Sequence, residues 1–82
     1  MSELPTVTGS QAVKAFEALG FQLDRVKGAH HVLVKPGHRF HLSVPVHGTD
    51  SLKRGTLRSL IRAAGVTVDD FRAALSGKPG SH

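Results

Sequence analysis

From Arg39 to Val46 the side chains alternate, with Phe40, Leu42, Val44 and Val46 on one side and Arg39, His41 and Ser43 on the other. A period of two over this length describes a strand with one buried and one polar face, so the rest of the chain must supply neighbouring strands and a covering layer. Pro45 falls near the end of the run, which places the strand at an edge or Pro45 at a terminus, where its missing N–H costs little. Upstream, Phe21 to Lys27 reads as a first strand and His31 to Lys35, rich in Val and Leu, as a second. Pro36-Gly37 joins the second strand to the third by a tight turn.

Helical segments flank these strands. Ser10 is the expected N-cap of a helix whose stripe is Ala12, Val13, Ala15, Phe16 and Leu19, with Gly20 as its stop. After a loop from Val46 to Ser51, Leu57, Leu60, Ile61 and Ala64 recur at spacings of three and four, and Gly65 ends that helix. Thr67 followed by Asp70 has the form of a capping box for a last short helix through Phe71 and Leu75. The order predicts an α+β domain: a three-stranded antiparallel sheet with helices on one face. Residues 1–75 read as one domain, with no internal repeat, and 76–82 as a disordered tail.

At 82 residues the chain has room for one small core, burying about 60% of the surface its unfolded form exposes. Four Phe, one Met and no Trp or Tyr leave that core to Val, Leu, Ile and Ala, and make aromatic platforms for base stacking scarce. Without cysteine there is neither a disulfide framework nor a thiolate metal site, which suits a reducing compartment. The longest apolar stretch is far short of a membrane span, and Met1-Ser2-Glu3-Leu4-Pro5 is not a secretory signal. The expectation is a cytoplasmic protein with no membrane partner. A formal charge of +5 points to an anionic partner, nucleic acid first, because clustered Lys and Arg release counterions from phosphates.

The cations are concentrated. Arg54, Arg58 and Arg62 are spaced by four along one flank of the second helix, and like charges at that spacing cost about 0.2–0.5 kcal/mol per pair. Asp50 is placed to reach Arg54, whereas Arg58 and Arg62 have no acidic residue three or four positions away. A solvated face and a ridge that tracks phosphates both fit this row. Lys53, with the backbone N–H groups of Gly55 and Thr56 near the helix start, favours the ridge.

Six histidines invite a metal site, but their spacing does not make one. His30 and His31 are adjacent and His38 and His41 differ in parity, so each pair diverges on a strand. No helix carries two histidines at spacing four. No metal and no cofactor are expected. His38 reads as an exposed turn residue, His41 as solvent-facing and His82 as part of the tail.

His30 differs in setting. It follows Lys27-Gly28-Ala29 at the beginning of a strand, where Gly28 permits an unusual backbone angle or close approach by a ligand. Imidazole titrates near neutrality, so a histidine there can exchange a proton with an RNA 2′-hydroxyl while nearby cations stabilise charge on the reacting phosphate.

Lys27-Gly28-Ala29-His30-His31, Val44-Pro45-Val46-His47-Gly48 and Leu52-Lys53-Arg54-Gly55-Thr56-Leu57-Arg58 with Ala64-Gly65, in that order, resemble the HicA-type toxins, a family of messenger-RNA interferases. The similarity runs from about Val7 to Leu75. The resemblance implies a fold similar to the double-stranded RNA-binding domain and ribosome-independent cleavage of messenger RNA. It also implies arrest of translation and growth, and neutralisation by a HicB-type antitoxin covering the active site: a monomer alone, a hetero-oligomer with its antitoxin. The family's catalytic histidine, which follows a glycine and a small residue, falls on His30. Ala29 stands where Gly or Ser is more usual, and Arg54 where a proline often precedes Gly-Thr.

The expected site is thus catalytic His30, with Lys27, Gly28, His31, His47, Lys53, Arg54, Gly55, Thr56, Arg58 and Arg62 binding RNA. Transesterification also needs a second acid–base group, for which His31, His47, Lys53, Arg58 and water are all open. The competing functions are a non-catalytic RNA-binding module and an inactive toxin relative that acts through complex formation.

Overall fold

The computed structural model describes residues 3–77. Its elements are α1 (Gly9–Ala18), β1 (Gln22–Lys27), β2 (His30–Val34), β3 (Leu42–Pro45), α2 (Arg54–Ala64) and α3 (Val68–Leu75). The strands form one antiparallel sheet in the order β1-β2-β3. Leu33, Leu42 and Val44 of the sheet share a single core with Phe16 of α1, Leu57 and Ile61 of α2 and Phe71 of α3. The expected α+β arrangement is therefore the one observed. Of the expected tail, Ser76 and Gly77 form a turn after α3, and 78–82 lie outside the described residues, as do Met1 and Ser2.

The first helix begins earlier than its sequence indicates. Thr8, not Ser10, is the N-cap: its hydroxyl accepts from the Gln11 N–H at 3.1 Å, and the Gln11 side chain accepts from the Thr8 N–H at 2.9 Å. This reciprocal pair satisfies two N–H groups that a lone serine cap would leave half-served. Gly9 can occupy the first turn because it lies against the end of β3, where a Cβ would collide with the Pro45 carbonyl oxygen and come within 2.9 Å of Val46 Cα. The preceding segment is tied to the α2 approach by a Thr8–Ser51 bridge and a 2.8 Å bond from the Leu52 N–H to the Val7 carbonyl. The Thr67–Asp70 box opens α3 as expected, and Gly65 closes α2 with φ 75°.

The third strand is shorter than its alternation predicts. Only Leu42–Pro45 pairs with β2, and Phe40, expected on the buried face, is 58% exposed. The reason lies in the connection. Lys35 to His38 close the expected tight turn through a 2.9 Å backbone bond, but the chain then runs three more residues before joining the sheet at Leu42. His38, expected to be exposed, turns inward: its Nε2 donates to the Ala63 carbonyl at 2.8 Å, and its ring meets Phe21 edge-on at 5.4 Å. That clasp at the C-terminal end of α2 holds residues 38–41 off the ladder. Pro45 is the last residue of an edge strand, as its chemistry requires.

Residues opposed across an antiparallel ladder share a face of the sheet. Val26, His31 and Val44 therefore lie on the helix-covered side with Leu23, Leu33 and Leu42, whereas Lys27, His30 and Pro45 lie on the outer side with Arg25, Val32 and Ser43. A bulge at Asp24 puts Leu23 and Arg25 on opposite faces.

Candidate active site

The β1–β2 hairpin is closed by Gly28 and Ala29, with Lys27 and His30 as the pair that brackets the turn. Gly28 has φ 59°, and Ala29 is not left-handed. A single left-handed residue at the first turn position matches the twist of the flanking strands, and glycine takes it without strain. A Cβ at Gly28 would meet nothing within 4 Å, so the backbone angle, not crowding, is what demands glycine there. The turn fixes Lys27 and His30 side by side on the outer face.

There Lys27, His30, Val32 and Ser43 line an open cavity of about 370 Å³. Val32 forms its apolar floor: it is 6% exposed yet stands apart from the core cluster. His30 is exposed and its imidazole makes no hydrogen bond with the described residues, which leaves the ring available to a ligand. Ser43 was not among the expected site residues. The signal for it was its outward parity in the third strand, which became meaningful only once the register paired it with Val32.

Pro45, the ladder partner of His30, also borders a second depression of about 340 Å³. That depression is lined further by His47, Asp50, Lys53 and Thr56 at the start of α2. The helix start is uncapped. Lys53 is the N-cap residue but makes no side-chain cap, and the first turn holds no acid, whereas α1 and α3 each begin with a complete capping box. The backbone N–H groups of Arg54, Gly55 and Thr56 thus have no side-chain acceptor, and together with Lys53 they present positive potential. A Cβ at Gly55 would also meet open space.

Other expected residues are placed elsewhere. His31 is half-buried on the helix-covered face, between Val26 and Val44, with its Nδ1 buried and without a partner among the described residues. Arg58 and Arg62 are exposed and border a depression with Leu4, Thr67 and Val68, toward the start of α3 and away from the hairpin. Arg54 is exposed in the first turn of α2, and Asp50, although placed to reach it, makes no ion pair with it. An ion pair joins Asp24 and Arg25 at 3.8 Å. Two groups are brought together, Lys27 with His30 and Ser43, and His47 with Lys53 and Thr56, and they meet at Pro45. Among the described residues, no three His, Asp or Glu side chains converge in a way that could hold a metal ion.

A family model for the HicA toxin of bacterial toxin-antitoxin systems matches residues 9–66, which is most of the chain and includes every residue that lines the two depressions. The chain belongs to the HicA toxin family. No curated protein sequence matches it. Membership makes this HicA-family protein the toxin of a toxin-antitoxin system and gives it an antitoxin as partner. No helix among its described residues is long and apolar enough to cross a membrane.

Proposed function

We propose that this HicA-family toxin is an endoribonuclease that cleaves messenger RNA, with His30 as its catalytic acid–base group and a HicB-type antitoxin as the partner that covers the site. The observation carrying this reading is the exposed, hydrogen-bond-free imidazole of His30, held beside Lys27 by a glycine turn over an open cavity. His30 takes the proton of a 2′-hydroxyl as O2′ attacks the adjacent phosphorus. The P–O5′ bond breaks, and the leaving oxygen takes up a proton to become a 5′-hydroxyl, leaving a 2′,3′-cyclic phosphate. The Lys27 ammonium offsets the charge that builds on the phosphate oxygens.

The second acid–base group comes from the far side of Pro45, where His47 and Lys53 stand. His31 is a poor donor for this role because its side chain lies on the opposite face, and Arg58 because it lies toward α3. The open N-terminus of α2 supports a phosphate one step along the strand.

The test is induced expression of the wild type and His30→Ala without the antitoxin, following growth and a reporter messenger RNA. Arrest with RNA loss in the wild type alone is the expected result. Equal harmlessness points to a binding module or an inactive relative, and equal toxicity removes His30 from the centre. With purified protein, cleavage that survives EDTA and leaves 5′-hydroxyl ends is expected; 5′-phosphate ends contradict the chemistry.

A further inference from the structure

We propose that Phe40, with Ser59, Arg62 and Ala63, forms a nucleobase-stacking subsite for single-stranded RNA at the opposite end of β3 from His30. Three of the four phenylalanines are fully buried in the core; Phe40 alone is exposed, at 58%. It borders an open cavity of about 310 Å³ whose other walls are Ser59, Arg62 and Ala63 of α2. The ring is backed by His38, edge-on at 6.3 Å, and His38 is itself anchored to the Ala63 carbonyl. An exposed aromatic ring braced in this way presents a π-face at little cost in lost rotamer freedom, beside an exposed guanidinium that can hold a phosphate or stack on a base.

The occupant follows from where the subsite lies. α2 runs alongside β3 from Thr56, which shares a depression with Pro45, to Ala63, which shares one with Phe40. Phe40 stands five positions before Pro45, the partner of His30, so roughly 15 Å of extended chain separates the two sites. Arg54, Arg58 and Arg62 rise along the same helix over about 12 Å. A strand with its scissile phosphate at His30 could follow this cationic helix and lay a base on Phe40. Neutral apolar partners would gain nothing from the arginines, and a double-stranded substrate would keep its bases stacked on one another. The inference rests on the reading of RNA as substrate.

The experiment measures binding of a fluorescent, unstructured single-stranded RNA to full-length His30→Ala protein, expected to hold RNA without cutting it, and to the same protein carrying Phe40→Ala, Phe40→Leu or Phe40→Tyr. Removing one stacked base weakens binding by roughly 5- to 100-fold. Phe40→Ala and Phe40→Leu are expected to show that loss and Phe40→Tyr to restore affinity, with melting temperatures unchanged because the residue is exposed. The loss should vanish with an abasic strand of equal charge. Equal binding by all variants overturns the subsite while leaving the RNase reading intact. No RNA binding by the His30→Ala parent overturns both. If Phe40→Ala binds RNA normally but no longer binds the antitoxin, the patch is a protein interface and the proposal is wrong.

Discussion

His30 and His31 are neighbours in the chain that stand on opposite faces of the sheet, one paired with Pro45 and the other with Val44. One imidazole opens onto the cationic outer face. The other is half-buried in line with Val26 and Val44, with a buried ring nitrogen that no described residue satisfies. Two identical side chains at adjacent positions therefore meet different solvents, and their replacements should have different consequences.

His31→Leu is expected to keep RNA cleavage and to stabilise the fold by about 1 kcal/mol, since an unpartnered buried polar atom costs on the order of 1–3 kcal/mol. Urea denaturation and a cleavage assay on the same preparation check both halves. Loss of cleavage in a protein that is still folded would mean that His31 reaches the substrate after all.

Lys53→Asp should move stability and function in opposite directions. An aspartate at the N-cap supplies the missing acceptor and complements the helix dipole, a gain of about 0.5–2 kcal/mol. It also puts a negative charge where an RNA phosphate is expected. Higher melting temperature with weaker RNA binding is the predicted combination; higher melting temperature with undiminished binding would show that RNA does not use the helix start.

Salt dependence separates the two roles open to the arginine row. If Arg58 and Arg62 each contact a phosphate, changing either to Gln should flatten the slope of log affinity against log salt by about 0.7 for single-stranded RNA. Titrations of the His30→Ala protein at several salt concentrations would detect this. Unchanged slopes would assign the two side chains to a solvated face.

Gly9→Ala should destabilise the fold by about 1–3 kcal/mol, because the added methyl must push α1 away from the Pro45 carbonyl. Thermal unfolding would record it. A neutral result would mean that the helix start shifts freely against β3.

Much of this architecture was legible in short-range patterns. The stripe Leu57, Leu60, Ile61 and Ala64, the Thr67–Asp70 box and the hairpin at Gly28 each depend on residues a few positions apart, and each is where its pattern put it. The departures from these patterns share a cause. Phe40 alternates correctly with Leu42 and Val44, but His38 finds the Ala63 carbonyl 25 positions downstream and draws that stretch out of the ladder. Thr8 outcompetes Ser10 as a cap because Gly9 is needed against Pro45, a contact made across 36 positions of chain. The same holds at the site. His30 and Lys27 are neighbours through a turn and could be read together, whereas the company of Ser43 depends on strand register and that of His47 and Lys53 on how α2 docks.

The uncapped start of α2 also bears on motion. With repelling arginines at successive turns, glycine in the first turn and no cap, this helix depends for its order on Leu57, Leu60, Ile61 and Ala64 packing beneath it. Its first-turn amides should exchange with deuterium sooner than those of α1 and α3, whose starts are sealed. An anion or protein that engages those amides would slow their exchange by mass action. Protection gained at residues 54–57 on adding RNA, or on adding antitoxin, would thus report occupancy of this surface without any mutation at all.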